Sequence, residues 1–353
     1  MIEKETHEFT GPSNGDNPFL FGHKEQIAFL LNCIRTNQIP NAWLFHGPVG
    51  IGKASLALNV AKVLSNNNAL KEDNLSYLSE KDIRNPNASI RVNNIFFCKR
   101  KWDDKKKLFQ KNISIADIRE LSRKFYLSST DYSYKVCIVD TTEDLNISAS
   151  NSLLKMLEEP PKNTLFILVS NNKQSILPTI LSRCQKIGFQ KLNEDDLRNI
   201  SVGLFEENHF DLLKRAGALT SCDGSVKKLL NFLDKDYIKF FNSMKELLLH
   251  LPNLNKRKAI KLLTGNKEYL GNEDPDKSAF GVVLQLLASL AKNEIDLLIN
   301  NKSVEEEISL IAAHLYPQIS LLRHQSIEYN VEAKKVLFLA LNIIESAFEK
   351  YKK

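Results

Sequence analysis

The sequence has no Cys-x-x-Cys pair. Its five cysteines, Cys33, Cys98, Cys137, Cys184 and Cys222, are odd in number and far apart. Such spacing supports neither a disulfide framework nor a four-cysteine zinc site. Long hydrophobic runs are also missing. The longest, Ala279 to Ala291, is interrupted by Gln285 and Ser289 and falls short of the ~20 apolar residues that cross a bilayer. The first eighteen residues hold no apolar segment of signal-peptide type and are read as a loose arm before a fold that starts near Phe19. These absences lead to the expectation of a reduced, cytoplasmic chain with no membrane partner. Charge of one sign is scarce too: 48 Lys and Arg against 42 Asp and Glu leave +6, which permits a nucleic-acid partner without requiring one. With 43% hydrophobic and 25% charged residues over 353 positions, the composition is that of a soluble globular protein of two or three domains.

Apolar residues Ile27, Leu30, Leu31 and Ile34 recur at helical spacing and predict a helix over 23–35. Short apolar runs at Ala42–Phe45, Val136–Val139 and Leu165–Val169 predict strands. Such runs, alternating with helical segments, belong to a parallel sheet covered on both faces. Helices are predicted over Ala54–Leu64 and Ser148–Glu158, the second stopped by Pro160-Pro161. Beyond Phe189 strand signals cease. A small helical unit is expected to about Leu233, then long helices joined by loops containing Pro252, Asn272–Pro275 and Pro317. The last helix is expected to start at an Asn330 N-cap. Its row Leu337, Ala340, Leu341, Ile344 and Phe348 lies beside Val336, Leu339, Ile343 and Ala347, a face wide enough for either core or a subunit interface.

Gly47-Pro48-Val49-Gly50-Ile51-Gly52-Lys53 has the G-x-x-x-x-G-K spacing of a phosphate-binding loop, between a predicted strand and a predicted helix. Glycines let backbone N–H groups turn toward phosphate oxygens, the helix offers its positive end, and Lys53 reaches the terminal phosphates. The hydroxyl residue that follows the lysine and ligates Mg²⁺ is replaced by Ala54, and Ser55 comes one position too late. Each residue turns the helix by about 100°, so Ser55 points elsewhere. Bound ATP or ADP is therefore expected to be weak, and Mg²⁺ weaker still.

Val136 to Asp140 resembles a Walker B strand, whose final Asp supports Mg²⁺ and whose next residue is a Glu that orients water. Here the next residue is Thr141, and Glu143 and Asp144 fall where a new loop or helix begins. Asp140 is open to two readings, metal support and a strand-end cap. Phosphoryl transfer depends on metal charge and a positioned nucleophile, so little intrinsic ATP hydrolysis is expected.

Downstream stand Leu153-Leu154-Lys155-Met156-Leu157-Glu158-Glu159-Pro160-Pro161 and Ser182-Arg183-Cys184. With the phosphate loop and the Walker B-like strand in the same order, these motifs make residues 20–190 resemble the bacterial clamp-loader subunits of the AAA+ class. The degenerate nucleotide site resembles most the delta-prime type of the DNA polymerase III loader. The resemblance implies an α/β AAA+ domain with a parallel sheet over 1–188, a helical lid over 189–233 and an all-α collar for oligomerisation over 234–353. It implies that Arg183 acts in trans as an arginine finger on ATP held by a neighbouring subunit, a task suited to a planar, permanently charged guanidinium. It gives Ser170 and Asn171 the sensor 1 position and Lys227 the sensor 2 position, and sets Phe21-Gly22-His23 against the nucleotide base. Each also has a plainer reading: Arg183 as a helix-capping surface residue, Ser170 and Asn171 as a strand-end cap, and Lys227 as a solvated helix-start lysine. Ser182 is expected to position Arg183 or to cap the adjacent turn, and Cys184 to be small and buried rather than reactive.

Relatives in that family often carry four zinc-binding cysteines before the Walker B strand; this chain has only Cys98 there, so no zinc is expected. The same region holds Lys99–Lys111, with seven cations and two acids around Trp102. Two readings stand for it: a stacking and phosphate-contacting segment, or a solvated surface loop. The expected partners are motor and delta-type loader subunits, the sliding clamp and primed DNA. The alternatives are a catalytically active clamp-loader ATPase and an unrelated P-loop NTPase.

Overall fold

The computed structural model describes residues 22–65, 94–103, 108–110, 112–127, 134–204, 221–232, 234–250, 255–266, 278–291, 302–328 and 331–349. The chain divides into two compact units, Met1–Gly203 and Leu204–Lys353.

The first unit is built on a five-stranded parallel sheet. Its strands are β1 (Ala42–His46), β2 (Ile95–Cys98), β5 (Lys135–Val139), β6 (Thr164–Ser170) and β7 (Gln185–Gly188), in the order β2-β5-β6-β1-β7. A separate antiparallel pair joins β3 (Trp102–Asp103) to β4 (Leu108–Phe109). The helices are α1 (Lys24–Arg35), α2 (Lys53–Leu64), α3 (Ile115–Leu127), α4 (Ile147–Glu158), the short α5 (Pro178–Leu181) and α6 (Glu194–Leu204).

Side chains alternate across each strand, and the sheet sorts them into two cores. Trp43, Phe45, Ile138 and Ile167 pack with Ile27 and Leu30 of α1 and Leu56 and Val60 of α2. Leu44, Val139, Phe166 and Leu168 pack on the other face with Ile118 and Phe125 of α3 and Leu153 and Met156 of α4. Covered on both sides, β1, β5 and β6 read in sequence as continuous apolar runs. The edge strand β7 shows only Ile187 buried, so it carries no such run. At the other edge, β2 is apolar but only four residues long.

Local chemistry sets the helix limits. Asn146 caps α4 by accepting from the Ala149 N–H at 2.8 Å, and Pro160-Pro161 follows its end. The helix α2 starts directly from Gly52 with no side-chain cap, leaving its first N–H groups to face the loop.

In the second unit the described residues form α7 (Val226–Asn231), α8 (Lys235–Leu249), α9 (Lys256–Gly265), α10 (Ala279–Ala291), α11 (Lys302–Glu328) and α12 (Ala333–Phe348). Pro317 lies inside α11 rather than in a connecting loop. The ring costs a backbone hydrogen bond, but the buried stripe Ile308, Ala312, Leu315 and Ile319 runs on both sides of it, and this packing carries the helix through. Gln285, which interrupts the apolar sequence of α10, is buried and donates to the Ser221 carbonyl at 2.6 Å. The N-cap of α12 is Glu332, without a side-chain bond; Asn330 lies outside the described residues. Leu337, Ala340, Leu341, Ile344 and Phe348 are buried, as is Val336 of the neighbouring row, while Leu339 of that row is 49% exposed.

Phe125 is fully buried between Phe96 and Phe166, each ring centroid 5.3 Å away. Phe125→Ala should lower stability by about 3–5 kcal/mol through lost burial and a residual cavity, read as a drop in the urea midpoint. Tyr126→Ala next to it, half exposed, should cost far less.

Candidate nucleotide site and exposed arginine

Parallel pairing places His46 beside Ser170 and Val139 beside Leu168. The phosphate loop, Asp140 and Asn171 thus leave the sheet at neighbouring carboxyl ends, where open α/β sheets bind ligands. Gly47 must be glycine for a steric reason: an added Cβ would lie 2.3 Å from the Phe189 carbonyl oxygen. Gly50 and Gly52 take φ values of 75° and 99°, the left-handed region that suits glycine. Space around Gly52 is open.

Lys53 is 3% exposed. Its Nζ donates to the Gly47 carbonyl at 2.8 Å, to the Pro48 carbonyl, and to Asn171 Oδ1 at 3.0 Å. Burial pushes this amine down to about 8, against the opposing pull of the Glu143 and Asp140 carboxylates. Asp140 is held above the usual carboxylate range by burial, with Lys53 and Lys99 pulling the other way and Glu143 adding to the rise.

The strand-end residues separate into two roles. Asn171 joins Lys53, whereas Ser170 is fully buried and its Oγ accepts from the Asn172 N–H at 3.1 Å. Thr141 has φ 63° and ψ 68°, a conformation costing a β-branched residue about 1–3 kcal/mol. This turn sends Thr142 Oγ1 back to the Val169 carbonyl at 3.0 Å. Glu143 also turns back: its Oε1 accepts from the Asn171 N–H at 2.8 Å, while Oε2 is buried without a hydrogen-bond partner among the described residues. Glu143 lies past the strand, as its position predicts, in a 3-10 turn over Thr142–Asp144; its return to Asn171 depends on the left-handed Thr141 and is not encoded in its spacing from Asp140.

The loop geometry, the uncapped α2 and Lys53 fit a phosphate group. The metal position fits poorly, since Ala54 offers no hydroxyl and Thr141 no carboxylate. His23 touches the same loop, its Nε2 lying 2.8 Å from the Ile51 carbonyl and its ring edge against Phe189. Phe21 lies outside the described residues.

Arg183 has its partners on α4 and α5. Its Nη2 lies 2.6 Å from Glu158 Oε1, and its Nη1 donates to the Thr179 carbonyl at 2.9 Å and to Ser182 Oγ at 3.4 Å. The structure therefore brings the Glu158-Glu159-Pro160-Pro161 and Ser182-Arg183-Cys184 motifs together. Ser182 Oγ donates to the same Thr179 carbonyl. Cys184 is buried, which pushes its thiol up to about 11 and makes it a poor nucleophile. The Glu159 carbonyl accepts from the Tyr126 hydroxyl at 3.4 Å. Lys227 belongs to the second unit, one residue into α7, whose N-cap Ser225 accepts from the Lys228 N–H.

The basic segment contains the β3–β4 pair rather than a plain loop. Arg100 pairs with Asp144 at 2.8 Å, and Lys101 with Asp117 and Glu120 at 2.9 and 3.0 Å. These cations are partly neutralised by the chain itself. Asp104 to Lys107 and Lys111 lie outside the described residues.

Residues 22–193 match the family model described as DNA polymerase III, delta subunit. DNA polymerase III subunit tau of Bacillus subtilis is 29% identical over 227 residues, 61% of this chain and 36% of that protein. DNA polymerase III subunit delta' of the same organism is 32% identical over 172 residues, 47% of each. The chain thus spans less than half the length of these relatives. A solved structure of a DNA polymerase III gamma subunit-related protein from Thermotoga maritima covers 91% of this chain and 99% of its own, at 17% identity and a TM-score of 0.46. The parallel five-stranded sheet with helices on both faces is an α/β fold. Through residues 22–193, this chain is similar to subunits of the bacterial DNA polymerase III clamp loader.

Proposed function

We propose that the chain is a delta-prime-type, catalytically degenerate clamp-loader subunit. It closes the loader ring, lends Arg183 to ATP on a neighbouring motor subunit and helps to place a sliding clamp on primed DNA. The observation that carries this reading is the contrast between two places in one unit. The phosphate loop lacks a metal-binding hydroxyl at Ala54 and a water-orienting carboxylate at Thr141, while Arg183 stands 37% exposed with its guanidinium already fixed. A subunit that turns over ATP needs the first set; a subunit that assists its neighbour needs the second.

In this reading the lid covers 189–233 and the collar 234–353, and the collar joins the other subunits. ATP or ADP is held weakly, through Gly47, Pro48, Gly50, Gly52 and Lys53, with Asn171 beside them. The assembled loader works in the cytoplasm without a structural zinc. A second reading, an active motor subunit, is favoured by one observation: the tau match extends over 61% of the chain and the delta' match over 47%.

ATPase assay of the isolated chain separates the two readings: turnover near that of a motor, abolished by Lys53→Ala, would establish the second. In a complex reconstituted with motor and delta-type subunits, Arg183→Ala should lower DNA-stimulated hydrolysis by about tenfold or more while assembly stays intact. An unchanged rate would remove the trans role.

Nucleotide affinity should also depend on pH. A bound phosphate favours charged Lys53 and raises its pKa from about 8, so binding takes up a proton above that pH. Affinity should hold below pH 8 and fall above it, by up to about tenfold per unit. Titration calorimetry with ATP or ADP checks this, and Lys53→Ala should flatten the dependence.

A further inference from the structure

Glu158 occupies the last position of α4, with Glu159 as its C-cap. Carboxylates are disfavoured there, because the C-terminal end of a helix already carries partial negative charge. Local rules broken without local gain mark positions held for another purpose. The compensating cation comes from another element: Arg183, beyond α5, reaches Glu158 Oε1 at 2.6 Å.

The guanidinium is fixed on two sides. Glu158 takes Nη2, and the Thr179 carbonyl takes Nη1 at 2.9 Å, with a longer bond from Nη1 to Ser182 Oγ. A guanidinium has five N–H donors, so donors remain for an incoming anion. Without Glu158, one carbonyl and one long hydroxyl contact would hold a long side chain that otherwise samples many rotamers. Fixing it in advance removes that ordering cost from the step in which it meets phosphate charge.

We propose that Glu158 is a positioning residue for Arg183, holding the guanidinium ready for the phosphate oxygens of nucleotide on a neighbouring subunit. This rests on the trans role proposed for Arg183. Glu158 itself does not touch that nucleotide, so its removal acts through the arginine and not beside it.

The test is a mutant cycle in the reconstituted loader with primed DNA, comparing Arg183→Ala, Glu158→Ala, Glu158→Gln and the double Ala variant. Glu158→Ala should lower kcat about five- to tenfold, with KM for ATP unchanged. Glu158→Gln, which still accepts from Nη2, should keep most of the rate. The double variant should be no slower than Arg183→Ala alone, since both changes act on one group. The thermal midpoint of the full chain should move by no more than about a few degrees for Glu158→Ala, as for a solvent-exposed ion pair. If Arg183→Ala slows hydrolysis and Glu158→Ala does not, or if the two losses multiply in the double variant, the positioning role is overturned and the trans arginine stands. If Arg183→Ala has no effect, the trans role itself falls.

Discussion

The parallel pairing of β1 with β6 is the constraint on which the site depends. It sets His46 beside Ser170, and the ladder continues one step past the strands, where the Gly47 N–H donates to the Ser170 carbonyl at 3.3 Å. Because of that register, the phosphate loop and the Asn171 turn emerge side by side. Lys53, at the first position of α2, then bridges them through two loop carbonyls and the Asn171 amide oxygen. A one-residue slip would swap Trp43 and Phe45 with Ala42 and Leu44 between the two cores and spoil the packing of both. The hydrophobic cores and the polar site are therefore fixed by the same alignment.

Within that frame, the site keeps its architecture while lacking two chemical groups. A buried ammonium is costly unless its donors are used, and the loop carbonyls and Asn171 use them. The left-handed Thr141 turn then brings Glu143 onto the Asn171 backbone, tying the end of β5 to the end of β6. These contacts hold together a loop that has no metal-ligating hydroxyl, which accounts physically for how a phosphate-loop geometry persists beside Ala54 and Thr141. The conformation of the loop thus rests on residues other than positions 54 and 141, where a metal-ligating hydroxyl and a water-orienting carboxylate would stand.

How much was legible in the sequence follows from where each residue is buried. Central strands β1, β5 and β6 are covered on both faces and announce themselves as apolar runs. Edge strand β7 has one buried residue and gives no such signal, while β2 carries an apolar run, Ile95–Cys98, as long as Val136–Val139 but set between an Asn-rich stretch and the basic segment. Periodicity located α1, α2 and α4 within a residue or so, because each lays an apolar stripe on the sheet. Pro317 misled because a local rule, that proline ends a helix, gave way to the packing of α11 along its buried stripe. At the site, motif spacing identified Lys53, Asn171 and Arg183 as residues of interest. It could not reveal that Glu143 folds back, or that Glu158 meets Arg183, since both depend on turns and distances that spacing along the chain does not encode.

The meeting of Glu158 and Arg183 also depends on how α4 and α5 begin and end. The prolines after Glu159 stop α4 abruptly, and Pro178 opens α5 at its first turn. Both ends are thereby held in place: a carboxylate at the C-terminus of one helix, a guanidinium just past the C-terminus of the next. Cys184, buried in the core under α4, anchors the residue that follows Arg183. With its backbone tied to the core on one side and its side chain tied to Glu158 and Thr179 on the other, Arg183 is exposed yet ordered. An arginine that must meet phosphate charge on another molecule needs both properties at once. Exposure gives access, while order limits the entropy lost on contact.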